Sequence, residues 1–91
     1  MLTPRPTDAE IQAIIHRTIG EVLERSGRPV PVFDDDYDLV ATGLTSLDLA
    51  ALVARLARHW KIDPFLEMRS ITEMRTVGDF CRAYQECLDA A

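Results

Sequence analysis

The sequence predicts an all-α fold, a four-helix bundle with a long first loop and a short third helix. Apolar residues recur at three- and four-residue spacing in three stretches, which is typical of amphipathic helices. Each stretch is preceded by a threonine that is followed three residues later by an acidic residue, a pattern that starts helices. No stretch alternates apolar and polar residues as a strand does. We expect residues 1–91 to form one domain, because so short a chain leaves little room for two.

The first helix is predicted at residues 7–26, after a flexible N-terminus at residues 1–6. Thr7 and Glu10 form a capping box, and the segment Ser26-Gly27 supplies a stop signal. The apolar positions follow the helical period and predict one buried face. They are Ile11, Ile14, Ile15, Ile19, Val22 and Leu23.

A long loop is predicted at residues 27–44, where Pro29 and Pro31 oppose helix formation. A loop of this length is uncommon unless it is functional or its own apolar residues hold it in place. We expect six residues to do so: Val30, Val32, Phe33, Tyr37, Leu39 and Val40. The acidic run Asp34-Asp35-Asp36, with Asp38, is expected to be solvated rather than to bind a cation.

The second helix is predicted at residues 45–61, with Thr45 as its N-cap and Trp60 packed into the core near its end. Its core-facing positions are Leu49, Leu52, Val53 and Leu56. Ser46 opens this helix shortly after Gly43, a turn-forming residue. The hydroxyl therefore lies at a helix N-terminus, where unpaired N–H groups and the helix dipole favour an anion. A phosphate-linked group can be attached and held there.

Two shorter segments complete the bundle. Asp63-Pro64 signals the start of a short helical region at residues 64–74, in which Phe65 is expected to pack in the core. The segment Thr76-Val77-Gly78-Asp79 begins the final helix, predicted at residues 76–89.

Composition excludes several classes of function. A net charge of −5 argues against a nucleic-acid binder, and no apolar stretch approaches the length of a membrane span. The N-terminus lacks the apolar core of a signal peptide, so we expect a cytoplasmic protein. Cys81 and Cys87 lack a CxxC spacing and suit a reducing compartment. His16 and His59 are isolated in the sequence, which predicts no metal site.

Two segments carry a resemblance to a known family. The stretch Ala41-Thr42-Gly43-Leu44-Thr45-Ser46-Leu47 resembles the attachment motif of acyl carrier proteins, in which the serine receives 4′-phosphopantetheine. The segment Arg75-Thr76-Val77-Gly78-Asp79-Phe80 resembles the opening of the last helix of many carrier proteins. The resemblance extends from Ile11 to Leu88 and implies the fold already predicted. Thr45 departs from the pattern, because an aspartate usually precedes the serine.

The resemblance implies a carrier rather than an enzyme. A phosphopantetheinyl transferase would move the arm from coenzyme A to Ser46, and the thiol of the arm would hold cargo as a thioester. Further partners would be an acyl- or aminoacyl-loading enzyme and a downstream synthase or transferase, which visit a monomeric carrier. The sequence leaves three hypotheses open. They are a stand-alone acyl carrier of a polyketide or related pathway, an aminoacyl or peptidyl carrier loaded by an adenylating enzyme, and an unmodified helical adaptor.

The outward face of the second helix predicts how partners dock. Fatty-acid carriers usually present an acidic face there, whereas this chain presents six residues of another kind: Leu47, Ala50, Ala51, Ala54, Arg55 and Arg58. When Asp48 is counted against Arg55, Arg58 and Lys61, the helix is net positive. We therefore expect a dedicated biosynthetic pathway rather than housekeeping fatty-acid synthesis.

Overall fold

Three helices form the described part of the chain, which comprises residues 6–62 and 74–90 of a computed structural model. These are α1 (Asp8–Arg25), α2 (Ser46–Trp60) and α3 (Val77–Ala90), with a single 3₁₀ turn at Val40–Thr42. The all-helical prediction is confirmed for these residues. The short helix predicted at 64–74 falls almost wholly outside the described residues, as do Phe65 and the segment Asp63-Pro64. No helix in the described ranges is long and apolar enough to cross a membrane.

Helix α1 begins as its sequence predicts. The Thr7 Oγ1 accepts a hydrogen bond from the Glu10 N–H at 3.1 Å, and Glu10 Oε1 accepts one from the Thr7 N–H at 2.8 Å. Both orphan donors at the helix N-terminus are therefore satisfied locally. The helix ends at Arg25, and Gly27 takes a positive φ of 74° that turns the chain away.

The core lies where α1 packs against both α2 and α3. Its fully buried side chains come from all three helices, so each helix contributes one apolar face. They include Ile11, Ile15, Ile19, Leu23, Leu52, Leu56, Val77, Phe80 and Tyr84. Trp60 is half-buried and lies 5.7 Å from Tyr84 between ring centroids, which confirms that it packs against the core. Leu49 and Val53 are also half-buried against this cluster.

The long loop is held chiefly by backbone hydrogen bonds to the start of α3. Leu39 N–H donates to the Arg75 carbonyl at 2.9 Å, and Val77 N–H donates to the Tyr37 carbonyl at 2.9 Å. Leu39 is buried and Tyr37 is half-buried. Because the loop is bonded to α3 on one side, it delivers residue 46 in a fixed position.

Two of the six apolar residues expected to pin the loop do not, since Val32 is 99% exposed and Val40 is 84% exposed. Val30 is 40% exposed, and its Cγ1 lies beside Gly20 of α1. The loop residues that do pack, including Phe33, are those next to the backbone bonds to α3. The prediction was wrong for Val32 and Val40 because backbone hydrogen bonds to the start of α3 fix the segment, so fewer apolar side chains are needed.

Candidate functional site

Ser46 is the first residue of α2, and a short sequence of turns places it there. Gly43 has a φ of 96°, a left-handed conformation that other residues rarely adopt. The chain then buries Leu44 and turns at Thr45, which is extended and caps the helix. Ser46 is exposed immediately afterwards. The turn at Gly43 therefore converts a loop running across the bundle into a helix that starts at the surface.

A reciprocal capping box fixes the first turn of α2. Thr45 Oγ1 accepts from the Asp48 N–H at 3.2 Å, and Asp48 Oδ2 accepts from the Thr45 N–H at 2.9 Å. The threonine that stands in place of the usual aspartate thus retains a capping oxygen, as expected. Its methyl-bearing side chain adds no charge beside the Ser46 hydroxyl.

Asp48 proves to be more than a first-turn anion, since its side chain is buried. Its carboxylate accepts a hydrogen bond from Ser26 Oγ at 2.9 Å and forms an ion pair with Arg28, whose Nη1 also donates to the Gly43 carbonyl at 2.6 Å. The Thr45 N–H bond, followed by those from Ser26 and Arg28, holds the pKa of Asp48 at about 2 although burial opposes this. A permanently ionised carboxylate therefore links the start of α2 to the end of α1. Sequence reasoning missed this network because its partners lie in another element.

The N-terminus of α2 retains free donors for an anion. The N–H of Asp48 is occupied by Thr45 Oγ1 and that of Leu49 bonds to the Thr45 carbonyl. Among the described residues no acceptor bonds the N–H groups of Ser46 and Leu47, or the Ser46 hydroxyl. Two unpaired donors at a helix N-terminus favour a phosphate. Because Arg28 neutralises Asp48, the nearby carboxylate opposes such a group less than an isolated charge would.

The residues predicted for docking lie mostly on one exposed face of α2. Leu47 is 81% exposed, and Ala50, Ala51, Ala54 and Arg58 are also exposed.

Arg55 differs from the other docking residues, since it is half-buried and its Nη1 lies 3.5 Å from Glu21 Oε1 on α1. It therefore leans toward α1 instead of standing free on the α2 face. Asp48, which entered the charge count for this helix, is buried and paired. Arg58 and Lys61 remain as the exposed charges of α2 and its C-cap, so this face stays net positive as the sequence count suggested.

A second polar cluster joins α1, the loop and α3. Asp35 accepts hydrogen bonds from Gln12 Nε2 at 2.7 Å and from His16 Nε2 at 2.9 Å, and Cys81 Sγ lies 4.0 Å from its Oδ1. The expectation that His16 is isolated was wrong, as was the expectation that Asp35 is a freely solvated charge. Both errors arise because the loop folds back onto α1.

The same cluster contains three side chains with metal-ligating atoms, which lie within 4.8 Å of one another: His16, Asp35 and Cys81. Burial, with Asp35 adding to the effect, raises the pKa of the Cys81 thiol to about 12. The Cys81 thiol is therefore protonated at neutral pH in this structure. The cluster is better suited to tying the loop to the bundle.

The start of α3 explains its motif in physical terms. Asp79 Oδ2 accepts from the N–H groups of Arg75 and Thr76 at 3.2 Å each, and Thr76 Oγ1 accepts from the Asp79 N–H at 3.0 Å. The Gly78 N–H donates to the Asp35 carbonyl at 2.7 Å. A Cβ at Gly78 would lie 3.0 Å from that carbonyl oxygen, so the glycine permits the close approach of loop and helix.

Comparison with known proteins agrees with this geometry. Residues 13–84 match the sequence profile of a family described as the phosphopantetheine attachment site. The chain is also similar to the solution structure of MacpD, an acyl carrier protein from Pseudomonas fluorescens involved in mupirocin biosynthesis. The two share 31% identity with a TM-score of 0.73, and the match covers 92% of this chain and 79% of that chain. No curated protein sequence matches the chain.

Proposed function

The chain belongs to the phosphopantetheine-attachment family, and from this premise we propose that it is a stand-alone acyl carrier whose prosthetic group is joined to Ser46. Members of the family are carriers rather than enzymes, and their cofactor is a covalently attached 4′-phosphopantetheine. The observation that carries the assignment to Ser46 is its position. It is an exposed serine at the first residue of α2, within the matched range, beside two unpaired backbone N–H groups.

The residues around Ser46 fit the attachment reaction. In that reaction a phosphopantetheinyl transferase joins the Ser46 Oγ to the pantetheine-bearing phosphorus of coenzyme A. The pyrophosphate bond breaks, adenosine 3′,5′-bisphosphate leaves, and the hydroxyl proton passes to the transferase. The carrier contributes an accessible hydroxyl and a fixed helix start, and the unpaired N–H groups of Ser46 and Leu47 would be available to the phosphate of the attached group.

When attached, the prosthetic group supplies a thiol that holds acyl cargo as a thioester. Tethering replaces free diffusion with a high effective concentration at each active site to which the carrier docks. The folded domain therefore has to present Ser46 and bind partners briefly, which requires an exposed contact face. The face formed by Leu47, Ala50, Ala51 and Ala54 with Arg58 suits this role, because small side chains permit close approach.

The proposed setting is a dedicated biosynthetic pathway, polyketide or related. The net positive face of α2 supports this, since an enzyme groove built for an acidic carrier helix would repel Arg58. The similarity to MacpD, an acyl carrier protein involved in mupirocin biosynthesis, supports it independently. We place the protein in the cytoplasm as a monomer, where Cys81 and Cys87 stay reduced.

The second candidate is an aminoacyl or peptidyl carrier loaded by an adenylating enzyme. It uses the same serine chemistry, and the residue before the serine does not separate the two, because Thr45 matches neither group's usual aspartate or glycine. The assignment as an acyl carrier is favoured because MacpD, to which the chain is similar, is an acyl carrier protein. Loading assays with coenzyme A thioesters, and with amino acids, ATP and an adenylating ligase, separate the two.

The decisive test of the proposal is intact mass after incubation with coenzyme A and a promiscuous phosphopantetheinyl transferase. The natural sequence should gain one phosphopantetheine, and Ser46→Ala should gain none while keeping its helical circular dichroism. Ser70→Ala is the matched control, since it removes the same hydroxyl from a serine that lies outside the attachment motif. It should still be modified. Modification of the Ser46→Ala protein would show that another residue carries the group.

A further inference from the structure

A cationic groove separates α1 from α2 on an otherwise acidic protein. Its cavity volume is about 370 Å³, and its rim carries Arg17 and Arg25 from α1 and Arg55 and Arg58 from α2. Leu56 forms part of its apolar floor. Its lining carries four arginines against one carboxylate, Glu21, for a net charge of about +3, whereas the whole chain has a net charge of −5. The positive charge is therefore segregated.

Most of this charge is not neutralised by the protein itself. Arg55 lies 3.5 Å from Glu21, but no carboxylate in residues 6–62 or 74–90 forms an ion pair with Arg17, Arg25 or Arg58. All three of these arginines are exposed. Like charges held together on a folded surface favour an anionic partner.

The groove has a defined length and direction. Arg17 and Arg25 lie eight residues apart on α1, which places them on one face about 12 Å apart along the axis. Arg55 lies nine residues after Ser46, about 14 Å further along α2. Arg25 directly precedes Ser26, whose Oγ bonds Asp48 in the first turn of α2, so the groove runs toward the Ser46 end of that helix.

We propose that the α1–α2 groove binds an acidic helical segment of an enzyme that acts on the carried cargo. This deepens the proposed function and rests on it, because it names a docking contact for the same carrier. Carboxylates about two turns apart on the partner helix would meet Arg17 and Arg25, and an apolar side chain beside them would contact the half-buried Ile14. A short acidic segment that stays within the groove is favoured over a nucleic acid, whose phosphates would extend over the acidic remainder of the surface.

The test uses the full-length carrier bearing its prosthetic group and a synthetic helical peptide with glutamates at positions i, i+4 and i+8. Titration is followed by amide chemical shifts at low and moderate salt. Shifts should map to α1 and α2 around the groove, and the double variant Arg17→Glu with Arg25→Glu should weaken binding at least about tenfold. Added salt should reduce that difference.

Arg75→Glu with Arg82→Glu is the matched control, because it changes the net charge by the same amount at two exposed positions. One position lies just before α3 and the other lies on it. It should bind as the natural sequence does. The proposal would be overturned if both double variants weakened peptide binding equally or if the chemical-shift changes were scattered over the carrier. Self-association of the carrier in place of peptide binding would also overturn it. The mass gain at Ser46 is measured on every variant. If the natural sequence gained no mass, that result would instead contradict the proposed function.

Discussion

Arg28 in the loop after α1 forms an ion pair with Asp48 in the first turn of α2. The helix that presents Ser46 is therefore bonded at its own start to the segment that follows α1. Ser26 at the end of α1 adds a hydrogen bond to the same carboxylate. The position of the exposed serine depends on a buried charge network directly beneath it.

Replacing the charge at this network should loosen the helix start. Asp48→Asn keeps the shape of the side chain but removes the buried carboxylate, so the half-exposed Arg28 loses its ionised acceptor. We expect a melting temperature lower by several degrees and a slower transferase reaction at Ser46. Asp36→Asn, at an exposed loop position, is the control and should leave both measurements unchanged. An Asp48→Asn protein as stable as its parent would show that the ion pair contributes nothing.

The same carboxylate predicts a pH dependence of folding. The pKa of Asp48 is about 2 in the folded protein against an ordinary value of 3.8. The unfolded chain therefore takes up this proton first. The stabilisation is complete above about pH 4 and is lost as the pH falls toward about 2. Across this pH window, the free energy of unfolding measured in urea should depend less steeply on pH for Asp48→Asn than for the natural sequence. The pKa of Asp79 is also lowered by its capping bonds, so part of the dependence should remain.

Replacement by alanine should change the stability of the protein in opposite directions at two helical glycines. A Cβ at Gly78 would lie 3.0 Å from the Asp35 carbonyl oxygen and 3.2 Å from the Asp35 Cβ. At Gly20, the nearest atom would be Val30 Cγ1 at 3.6 Å, an ordinary contact. Gly20→Ala should therefore stabilise by about 0.5–1 kcal/mol through helix propensity. Gly78→Ala should destabilise, because the loop has to move, and chemical denaturation distinguishes the signs.

Leu47 should matter more to partners than to stability. It is 81% exposed, so Leu47→Ala removes little buried area and should change the melting temperature slightly. Turnover by the transferase or a loading enzyme should fall, since a large exposed apolar side chain beside Ser46 suits a partner contact. Leu52→Ala is the comparison, because Leu52 is fully buried and its truncation should cost about 2–5 kcal/mol. A reversal of these two outcomes would place Leu47 in the core.

The helices were predictable because their signals are local. Each start is a threonine paired with an acidic residue three positions later, and the capping bonds at Thr7, Thr45 and Thr76 are all present. The exposed serine followed from its place after Gly43. These features depend on neighbours within one turn, so a pattern in the sequence determines them.

The contacts that hold the site together were not predictable in the same way. Asp35 meets His16 across 19 residues and Cys81 across 46, and no periodicity marks such pairs. In the sequence, Asp48 resembles an ordinary first-turn anion, because Arg28 comes close to it only in the folded protein. One signal was available, because a glycine at the second position of α3 lowers helix propensity and suggests a close contact.

The contact between Gly78 and the Asp35 carbonyl has a consequence for recombining carriers. The loop ahead of Ser46 and the opening of α3 are complementary surfaces, so they behave as one exchangeable unit although 43 residues separate them. A chimera that imports a new α2 should retain both segments from the same parent. Grafting a foreign last helix without a glycine at this place would displace the loop, and the modification site would move with it.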